Sequence, residues 1–294
     1  MIPTHRFTGS IPALVSPMNE DGSLDLDAFR ALLDWHVEEG SGAVVIAGTT
    51  GEAPTLSTEE QAALIGLACQ HLGGRLPVIA GTGANSTAEA IELASLAENA
   101  GAQAQLSVVP YYNKPSQQGM YAHFKAVAEA CDLPVILYNV PGRTVADISN
   151  DTVLSLADVP GIIGIKDATG EMGRGFDLIS RRPEGFLVLS GDDETALALT
   201  LLGGDGVISV TANAYPSIMH LMIEDAMHGR LESARRHNAR LQKLHRALFV
   251  EPNPAPLKWI MARQGRLDNH LRLPLVHLSS TSQSELTRLL EEIG

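Results

Sequence analysis

The stretch GIIGIKDATG, residues 161–170, has the composition of a buried β-strand and carries one cation, Lys166. Its apolar residues run almost without a break, a pattern typical of parallel strands that are covered on both faces. An ammonium group is unfavourable in such surroundings unless it has a partner or a function. The stretch therefore predicts a strand of a parallel sheet, and it marks Lys166 as a candidate functional residue.

Seven other short runs rich in Val, Ile, Leu and Ala accompany this one. The predicted strands start at residues 11, 43, 77, 104, 134, 162, 186 and 206. Segments with helical periodicity lie between them, among them 25–39, 58–72 and 87–100, and capping hydroxyls precede acidic first turns. Eight such β/α units close a TIM barrel. An open doubly wound sheet is the competing fold, but GTGANS (81–86) holds only part of its glycine motif.

The pattern of strands stops after residue 214, and the rest of the chain has helical periodicity. This is more chain than one closing helix of a barrel requires. The sequence therefore predicts an α/β protein with a (β/α)8 TIM barrel over residues 1–225. A C-terminal helical region, residues 226–294, is expected to pack on the barrel as an appendage.

Composition excludes several classes of function. The net charge of -13 and the lack of a basic, aromatic-rich block argue against a nucleic-acid partner. No stretch approaches the roughly 18 apolar residues of a membrane span, and no export signal is recognisable, so we expect a soluble protein. Two distant cysteines, Cys69 and Cys131, favour the reducing cytoplasm. Asp192 and Asp193 lack a third ligand at suitable spacing, so we expect no metal and no other cofactor.

In a TIM barrel, catalytic groups lie at the carboxyl ends of the strands. Polar residues concentrate at these ends in GTTGE (48–52), PYYNKP (110–115), YNVPGRT (138–144), KDATG (166–170) and SGDDE (190–194). Lys166 is the candidate nucleophile, because a neutral amine in an apolar pocket attacks carbonyl carbon to form a Schiff base. Strand alternation places Gly164 and Ile162 on its face. A lysine that extends its ammonium group to solvent is the alternative.

Three hydroxyl groups on other strand ends are suited to proton transfer beside this amine. Tyr138 is the candidate proton carrier, and Thr49 and Tyr112 could relay protons to it. A core aromatic is an equal alternative for Tyr138, and an ordinary exposed loop residue is the alternative for Tyr112. Arg143 has the planar fork that binds carboxylates, although a surface ion pair would also explain it. GTTGE could hold a carboxylate through N–H groups and hydroxyls, or form a tight turn.

These segments together resemble the pyruvate-dependent class I aldolase family that includes dihydrodipicolinate synthase and N-acetylneuraminate lyase. The resemblance runs in order from FTGSIPALVSPM (7–18) to EPNPAPLKW and LRLPL (271–275), nearly the whole chain. It implies condensation of pyruvate with L-aspartate 4-semialdehyde to 4-hydroxy-tetrahydrodipicolinate, in lysine and diaminopimelate biosynthesis. It also implies a cytoplasmic homo-oligomer, expected to be a tetramer built as a dimer of dimers. A lyase acting on a 2-oxo sugar acid is the alternative within the family.

The resemblance implies a role for each candidate of the proton-transfer group. Lys166 would form the imine with pyruvate, and Tyr138 would donate and accept the proton. Thr49 and Tyr112 would complete the relay, with Tyr112 coming from a neighbouring subunit. A non-catalytic barrel that only binds a 2-oxo acid through Lys166 would have no use for such a relay.

Further residues are implied to bind the substrates. Thr50 and the main chain near Ile208 would hold the carboxylate of pyruvate. Arg143 would bind the carboxylate of the aldehyde substrate, and Gly191 and Asp192 would line the pocket. Each assignment comes from the resemblance, while the sequence pattern alone marks only the strand ends on which the residues lie.

The resemblance is incomplete at the lysine-binding site of the family. Asn85, Glu89 and Tyr111 of that site are retained. Lysine-inhibited bacterial members commonly carry histidines in the helix after GTTGE, where this chain has Thr58 and Gln61. The resemblance therefore supports feedback inhibition by lysine less strongly than it supports the catalytic roles.

Overall fold

Eight parallel strands follow one another around a closed sheet in the computed structural model, which describes residues 4–293. The strands are β1 (Gly9–Pro12), β2 (Val44–Ile46), β3 (Val78–Gly81), β4 (Ala104–Val108), β5 (Val135–Asn139), β6 (Ile162–Asp167), β7 (Leu187–Ser190) and β8 (Gly206–Ser209). β1 pairs with β8, and a parallel bridge from Ala13 to Val45 joins the two remaining edges. The predicted (β/α)8 TIM barrel is confirmed.

Helices connect the strands and continue beyond them. They are α1 (Leu26–Glu38), α2 (Thr58–Leu72), α3 (Thr87–Asn99), α4 (Gln117–Ala130), α5 (Pro141–Thr144), α6 (Asn150–Ala157), α7 (Met172–Arg181), α8 (Ala196–Leu201), α9 (Pro216–Met227), α10 (Leu231–Ala247), α11 (Ala255–Arg263) and α12 (Ser280–Ile293). Short 3-10 turns occupy Thr4–Phe7, Ala53–Thr55 and Thr211–Asn213. The predicted helices between the strands are confirmed to within about a residue at each end.

Local signals explain the boundaries that the sequence predicts well. The Ser57 hydroxyl accepts from the backbone N–H of Glu60, whose carboxylate accepts from the N–H of Ser57. This capping box starts α2, and Gly73 ends it with a left-handed φ of 55°. The apolar run IPALV (11–15) predicts the bounds of the first strand wrongly, since β1 spans Gly9–Pro12. Its ladder with β8 ends at Pro12, because the chain then turns toward β2.

A register shift in β6 changes which residues share a face with Lys166. Ile162 pairs with Val135, whereas Gly164 pairs with the next residue, Ile136, so one residue of β6 is extra. Ile162 consequently packs between the sheet and the outer helices, while Ile163 packs against the barrel interior. The prediction that Ile162 lies on the face of Lys166 is therefore wrong, since simple alternation does not continue through a bulge.

The helical region packs on one side of the barrel. α9 contacts β1 and β8, α10 packs on α9, and α12 packs on α10 and α11. The C-terminal helical appendage is confirmed. The boundary placed between residues 225 and 226 falls inside α9 and stays a prediction, and residues 1–3 and 294 of that division lie outside the described residues.

A buried ion pair fastens the helical region to the loop that follows β2. Lys258 Nζ lies 2.5 Å from Glu52 Oε1, and both side chains are fully buried. The same ammonium group donates to the carbonyl of His270 at 2.9 Å. Burial lowers the pKa of Lys258, and the adjacent Glu52 carboxylate opposes this shift. The charged pair is thus satisfied by groups from both parts of the chain.

Arg272 extends this connection across the surface of α2. Its backbone N–H donates to Glu52 Oε2 at 3.3 Å, and its guanidinium binds both carboxylate oxygens of Glu60 at 2.6 and 2.5 Å. It also donates to the carbonyls of Thr55 and Gly22. The bidentate guanidinium lowers the pKa of Glu60 to about 2. One arginine therefore joins the C-terminal region, the β2 loop and the start of α2.

We predict that Lys258→Met destabilises the fold by about 3–5 kcal/mol, because it leaves the Glu52 carboxylate buried without its cation. The free energy of unfolding from chemical denaturation measures the effect. Lys243→Met is the matched control, since Lys243 pairs with Glu292 at 2.6 Å on the surface, where such pairs contribute little. Equal unfolding free energies for the two variants would contradict the prediction.

Candidate active site

A cavity of about 560 Å³ opens at the carboxyl ends of the barrel strands. Its walls come from the ends of the strands and from the segment before α11. The polar residues that line it are Thr49, Thr50, Thr58, Gln61, Glu89, Tyr111, Tyr138, Arg143, Thr144, Lys166, Asp192 and Asn253. The strand ends that the sequence marks as polar thus meet around one space large enough for two small substrates.

Lys166 and Tyr138 are neighbours because β5 and β6 pair in register at this point. Lys166 Nζ lies 4.1 Å from the centroid of the Tyr138 ring. The two residues are only 6% and 7% exposed, yet both line the cavity. The lysine does not extend to bulk solvent, so its amine is available only to a molecule inside the cavity.

Gly191 leaves the space that the Lys166 side chain occupies. A Cβ atom built on Gly191 would lie 2.6 Å from Ala168 Cβ and 2.9 Å from Lys166 Cε. Any larger residue would displace the lysine or the neighbouring strand end. The Gly191 N–H donates to the carbonyl of Asp167 at 2.7 Å, which holds the two strand ends together. This close approach explains why a glycine occupies this position in the cavity wall.

Asp192 lines the cavity next to Gly191, but its carboxylate is already engaged. Asp192 Oδ2 accepts from the backbone N–H of Thr195 at 3.0 Å and from its hydroxyl at 2.6 Å. The neighbouring Asp193 accepts from the N–H groups of Val210 and Thr211 at 3.0 and 2.9 Å. These hydrogen bonds hold the loops after β7 and β8 in place, which gives the two adjacent aspartates a structural role.

The GTTGE segment is both a tight turn and part of the cavity wall. Thr50 is 2% exposed, and its hydroxyl oxygen accepts from Asn253 Nδ2 at 3.0 Å. Glu52 has a left-handed φ of 57°, a conformation that is uncommon outside glycine, and its N–H donates to the carbonyl of Thr49. Ser16 donates to the carbonyl of Gly51 at 2.8 Å. The threonines are therefore held in place from two sides.

Asn253 is a cavity residue that sequence reasoning missed. It lies in EPNPAPLKW, a segment that supports the family resemblance but carries no predicted role. The contact with Thr50 joins residues 203 positions apart, and no local pattern reports such a pair. A polar residue among prolines ahead of a predicted helix was the only signal available in the sequence.

The other predicted site residues fall into two groups. Thr49 and Arg143 line the cavity, and Arg143 is held on the short helix α5. Tyr112 does not line it within one chain, since its side chain is 89% exposed and its φ is 73°. Ile208 lies in the barrel interior at 1% exposure, and Val210 lines the cavity near it. One chain thus brings together the predicted residues other than Tyr112 and the Ile208 side chain.

Two of the three residues that the resemblance assigns to lysine binding lie in the same cavity. Glu89 and Tyr111 line it together with Thr58 and Gln61. Burial raises the pKa of the Tyr111 hydroxyl, and the negative charge of Glu89 adds to the increase. Next to them, Asn113 Nδ2 donates to the carbonyl of Asn85 at 2.7 Å. Glu89 and Tyr111 therefore share one cavity, and the lysine-binding role of the three residues stays a prediction.

No helix within residues 4–293 is long and apolar enough to cross a membrane. The same part of the chain contains no group of three or more His, Cys, Asp or Glu side chains arranged to hold a metal ion.

The sequence model of the Dihydrodipicolinate synthetase family matches residues 6–293. The chain is 59% identical to the 4-hydroxy-tetrahydrodipicolinate synthase of Nitrosomonas europaea over 288 residues, 98% of this chain and 99% of that one. It is 49% identical to the chloride-inhibited dihydrodipicolinate synthase of Acinetobacter baumannii, solved in complex with pyruvate. The two folds superpose with a TM-score of 0.96 over 98% and 99% of the two chains.

The description of a third similar protein mentions its assembly. It is described as the first monomeric dihydrodipicolinate synthase variant, and it is 38% identical to this chain with a TM-score of 0.96. The match covers 99% of this chain and 98% of that one. The same fold therefore occurs in a protein described as monomeric.

We predict that Glu89→Gln lowers the pKa of Tyr111, because it removes a negative charge that disfavours the phenolate. The pKa remains above the ordinary tyrosine value, since burial is the larger cause and is unchanged. NMR titration of protein labelled in its tyrosine rings measures the shift. Glu92→Gln, on the exposed side of the same helix, serves as the control. An unaltered Tyr111 titration in Glu89→Gln would contradict the prediction.

Proposed function

The chain belongs to the dihydrodipicolinate synthetase family, and from this membership we propose how its cavity works. It condenses pyruvate with L-aspartate 4-semialdehyde through a Schiff base on Lys166 and gives 4-hydroxy-tetrahydrodipicolinate. The activity is that of a 4-hydroxy-tetrahydrodipicolinate synthase, in lysine and diaminopimelate biosynthesis. High identity to relatives of that name, over almost the full length of both chains, supports it over a lyase acting on 2-oxo sugar acids.

The observation that carries the mechanism is the position of the Lys166 amine. It is buried on a barrel strand, faces the cavity and lies 4.1 Å from the ring centroid of Tyr138. The amine can reach the ketone carbon of a 2-oxo acid bound in the cavity, and the adjacent phenol is placed to move protons. A structural lysine would need neither the cavity nor the phenol.

In the proposed reaction, Lys166 Nζ attacks the ketone carbon of pyruvate, and water leaves as the imine forms. Loss of a proton from the methyl carbon gives the enamine, whose carbon then bonds to the aldehyde carbon of the second substrate. The amine of that substrate attacks the imine carbon, releases Lys166 and closes the ring. Tyr138 donates and accepts the protons, relayed by Thr49 and by Tyr112 of a neighbouring subunit. None of these steps requires a cofactor.

Two positive or hydrogen-bonding regions of the cavity are proposed to bind the carboxylates. Thr50 and the main chain after β8, near Ile208 and Val210, hold the carboxylate of pyruvate. Arg143 binds the carboxylate of the aldehyde substrate at the outer side, where its guanidinium is accessible. Gly191 and Asp192 line the space between. Binding at both ends would hold the enamine and the aldehyde close enough to react.

The position of Tyr112 supports an assembled active site. A tyrosine that is 89% exposed and held at a φ of 73° projects away from its own cavity. We therefore propose a homo-oligomer in which Tyr112 reaches the cavity of the adjacent copy, with a tetramer as the expected assembly. The two cysteines are free thiols, which supports a cytoplasmic location.

The outer part of the cavity bears on regulation. Glu89 and Tyr111 lie there, but Thr58 and Gln61 stand where lysine-inhibited members commonly carry histidines. We propose that lysine inhibits this enzyme more weakly than it inhibits the members that carry those histidines.

We predict that pyruvate and borohydride together modify Lys166, because borohydride reduces the imine to a stable secondary amine. Mass spectrometry of the digested protein locates the adduct, and turnover is assayed in parallel with L-aspartate 4-semialdehyde. Lys166→Arg should abolish both signals, whereas Lys125→Arg, on the exposed face of α4, should change neither. Modification at another lysine, or none, would refute the mechanism, whereas turnover only with sugar acids would move the assignment to the lyase alternative.

We predict that Tyr112→Phe lowers kcat by roughly ten- to ten-thousand-fold, the range for loss of positioned proton transfer. Tyr121→Phe, a tyrosine of α4 outside the cavity, is the matched control. Mixing Tyr112→Phe with inactive Lys166→Arg subunits should restore activity, because one combined site then holds both an intact Lys166 and an intact Tyr112. No recovery after subunit exchange would show that Tyr112 does not act across an interface.

A further inference from the structure

Asn253 makes the link between the helical region and the proposed carboxylate-binding loop. Its side chain is 5% exposed, lines the cavity and donates through Nδ2 to the hydroxyl oxygen of Thr50 at 3.0 Å. Its position is set by the segment that leads into α11, because Asn253 lies two residues before Ala255, the first residue of that helix. An amide from the far end of the chain is therefore fixed against a residue proposed to bind substrate.

The direction of this hydrogen bond determines what the hydroxyl offers to a ligand. A threonine hydroxyl has one proton to donate and lone pairs that accept. Because the Asn253 amide supplies a proton to the oxygen, the proton of Thr50 stays available for another acceptor. When a hydroxyl oxygen accepts a hydrogen bond, its own O–H group also becomes more polarised. The arrangement suits recognition of a carboxylate, which only accepts hydrogen bonds.

The surroundings keep both partners from moving. Glu52, two residues after Thr50, is held by the buried ammonium group of Lys258 at 2.5 Å. Lys258 lies on α11, the helix that follows Asn253. The amide and the hydroxyl are thus connected twice, directly and through the ion pair, so that the distance between them is fixed before any ligand binds.

We propose that Asn253 is a positioning residue that directs the Thr50 hydroxyl proton toward the carboxylate of pyruvate. The inference rests on the proposed function, since it concerns the same site and the same substrate. It assigns to the helical region a part in pyruvate binding, although the lysine and tyrosines of the proposed chemistry all lie on the barrel. The effect falls on pyruvate affinity, because the carboxylate is bound throughout the reaction.

A double-mutant cycle tests the proposal on the full-length enzyme. The pyruvate KM and kcat are measured for Asn253→Ala, Thr50→Val and the combined variant, and the pyruvate dependence of borohydride trapping on Lys166 is measured beside them. Asn253→Ala should raise the pyruvate KM about tenfold, as expected for a weakened hydrogen bond to a charged group. In the Thr50→Val background the same change should have little further effect, since no hydroxyl remains to be directed.

Two more variants separate positioning from general damage. In a Thr50→Ser background, which keeps a hydroxyl, Asn253→Ala should again raise KM. Asn253→Asp should raise it more than Asn253→Ala, because a carboxylate takes the Thr50 proton for itself and repels the substrate. Asn238→Ala, whose amide donates to Gln242 on α10, is the matched control and should leave KM unchanged.

Two results would overturn the inference. One is an equal KM increase from Asn253→Ala in the Thr50 and Thr50→Val backgrounds, which would indicate a structural role independent of the hydroxyl. The other is a wild-type pyruvate KM in Asn253→Asp, which would mean that Thr50 donates to residue 253 rather than to substrate. Failure of the proposed function is distinct, because it would appear in the unsubstituted enzyme as the absence of a Lys166 adduct.

Discussion

The salt bridge between Glu52 and Lys258 is the constraint on which the rest of the site depends. Two charges without contact to solvent are costly to bury unless each is paired and hydrogen-bonded. The requirement is met only when α11 docks against the loop after β2 and the segment through Arg272 closes over it. The charge pair thus favours a single arrangement of barrel and helices, and that arrangement places the threonines of the loop.

The barrel itself could be read from the sequence because its signals are local. Apolar runs covered on both faces, capping residues and regular β/α spacing repeat along the chain and are independent of distant residues. The errors occurred where local periodicity is interrupted. An extra residue in β6 moved Ile162 to the outer face, and the turn after Pro12 shortened the first strand. Neither event leaves a mark in the order of apolar and polar residues.

The residues of the candidate site likewise include some that the sequence predicts and others that it does not. Lys166 and Tyr138 lie at the carboxyl ends of β6 and β5, and Arg143 follows β5, so the rule that catalytic groups lie at these ends was sufficient to bring them together. Asn253 was missed because its partner lies 203 residues away. Tyr112 is a different case, since one chain alone leaves it exposed and its proposed role depends on a second copy. Contacts between residues far apart in the chain, or between molecules, depend on the folded structure and cannot be predicted from local sequence patterns.

The separation between Thr50 and Asn253 also has a consequence for synthesis on the ribosome. At about 5–20 residues per second, the amide emerges roughly 10–40 seconds after the threonine. Lys258 is synthesised about as long after Glu52. The nascent barrel therefore carries the Glu52 carboxylate before the cation that pairs with it has been made. A chain terminated before α11 therefore lacks the contacts that shape the loop, even with Lys166 already made.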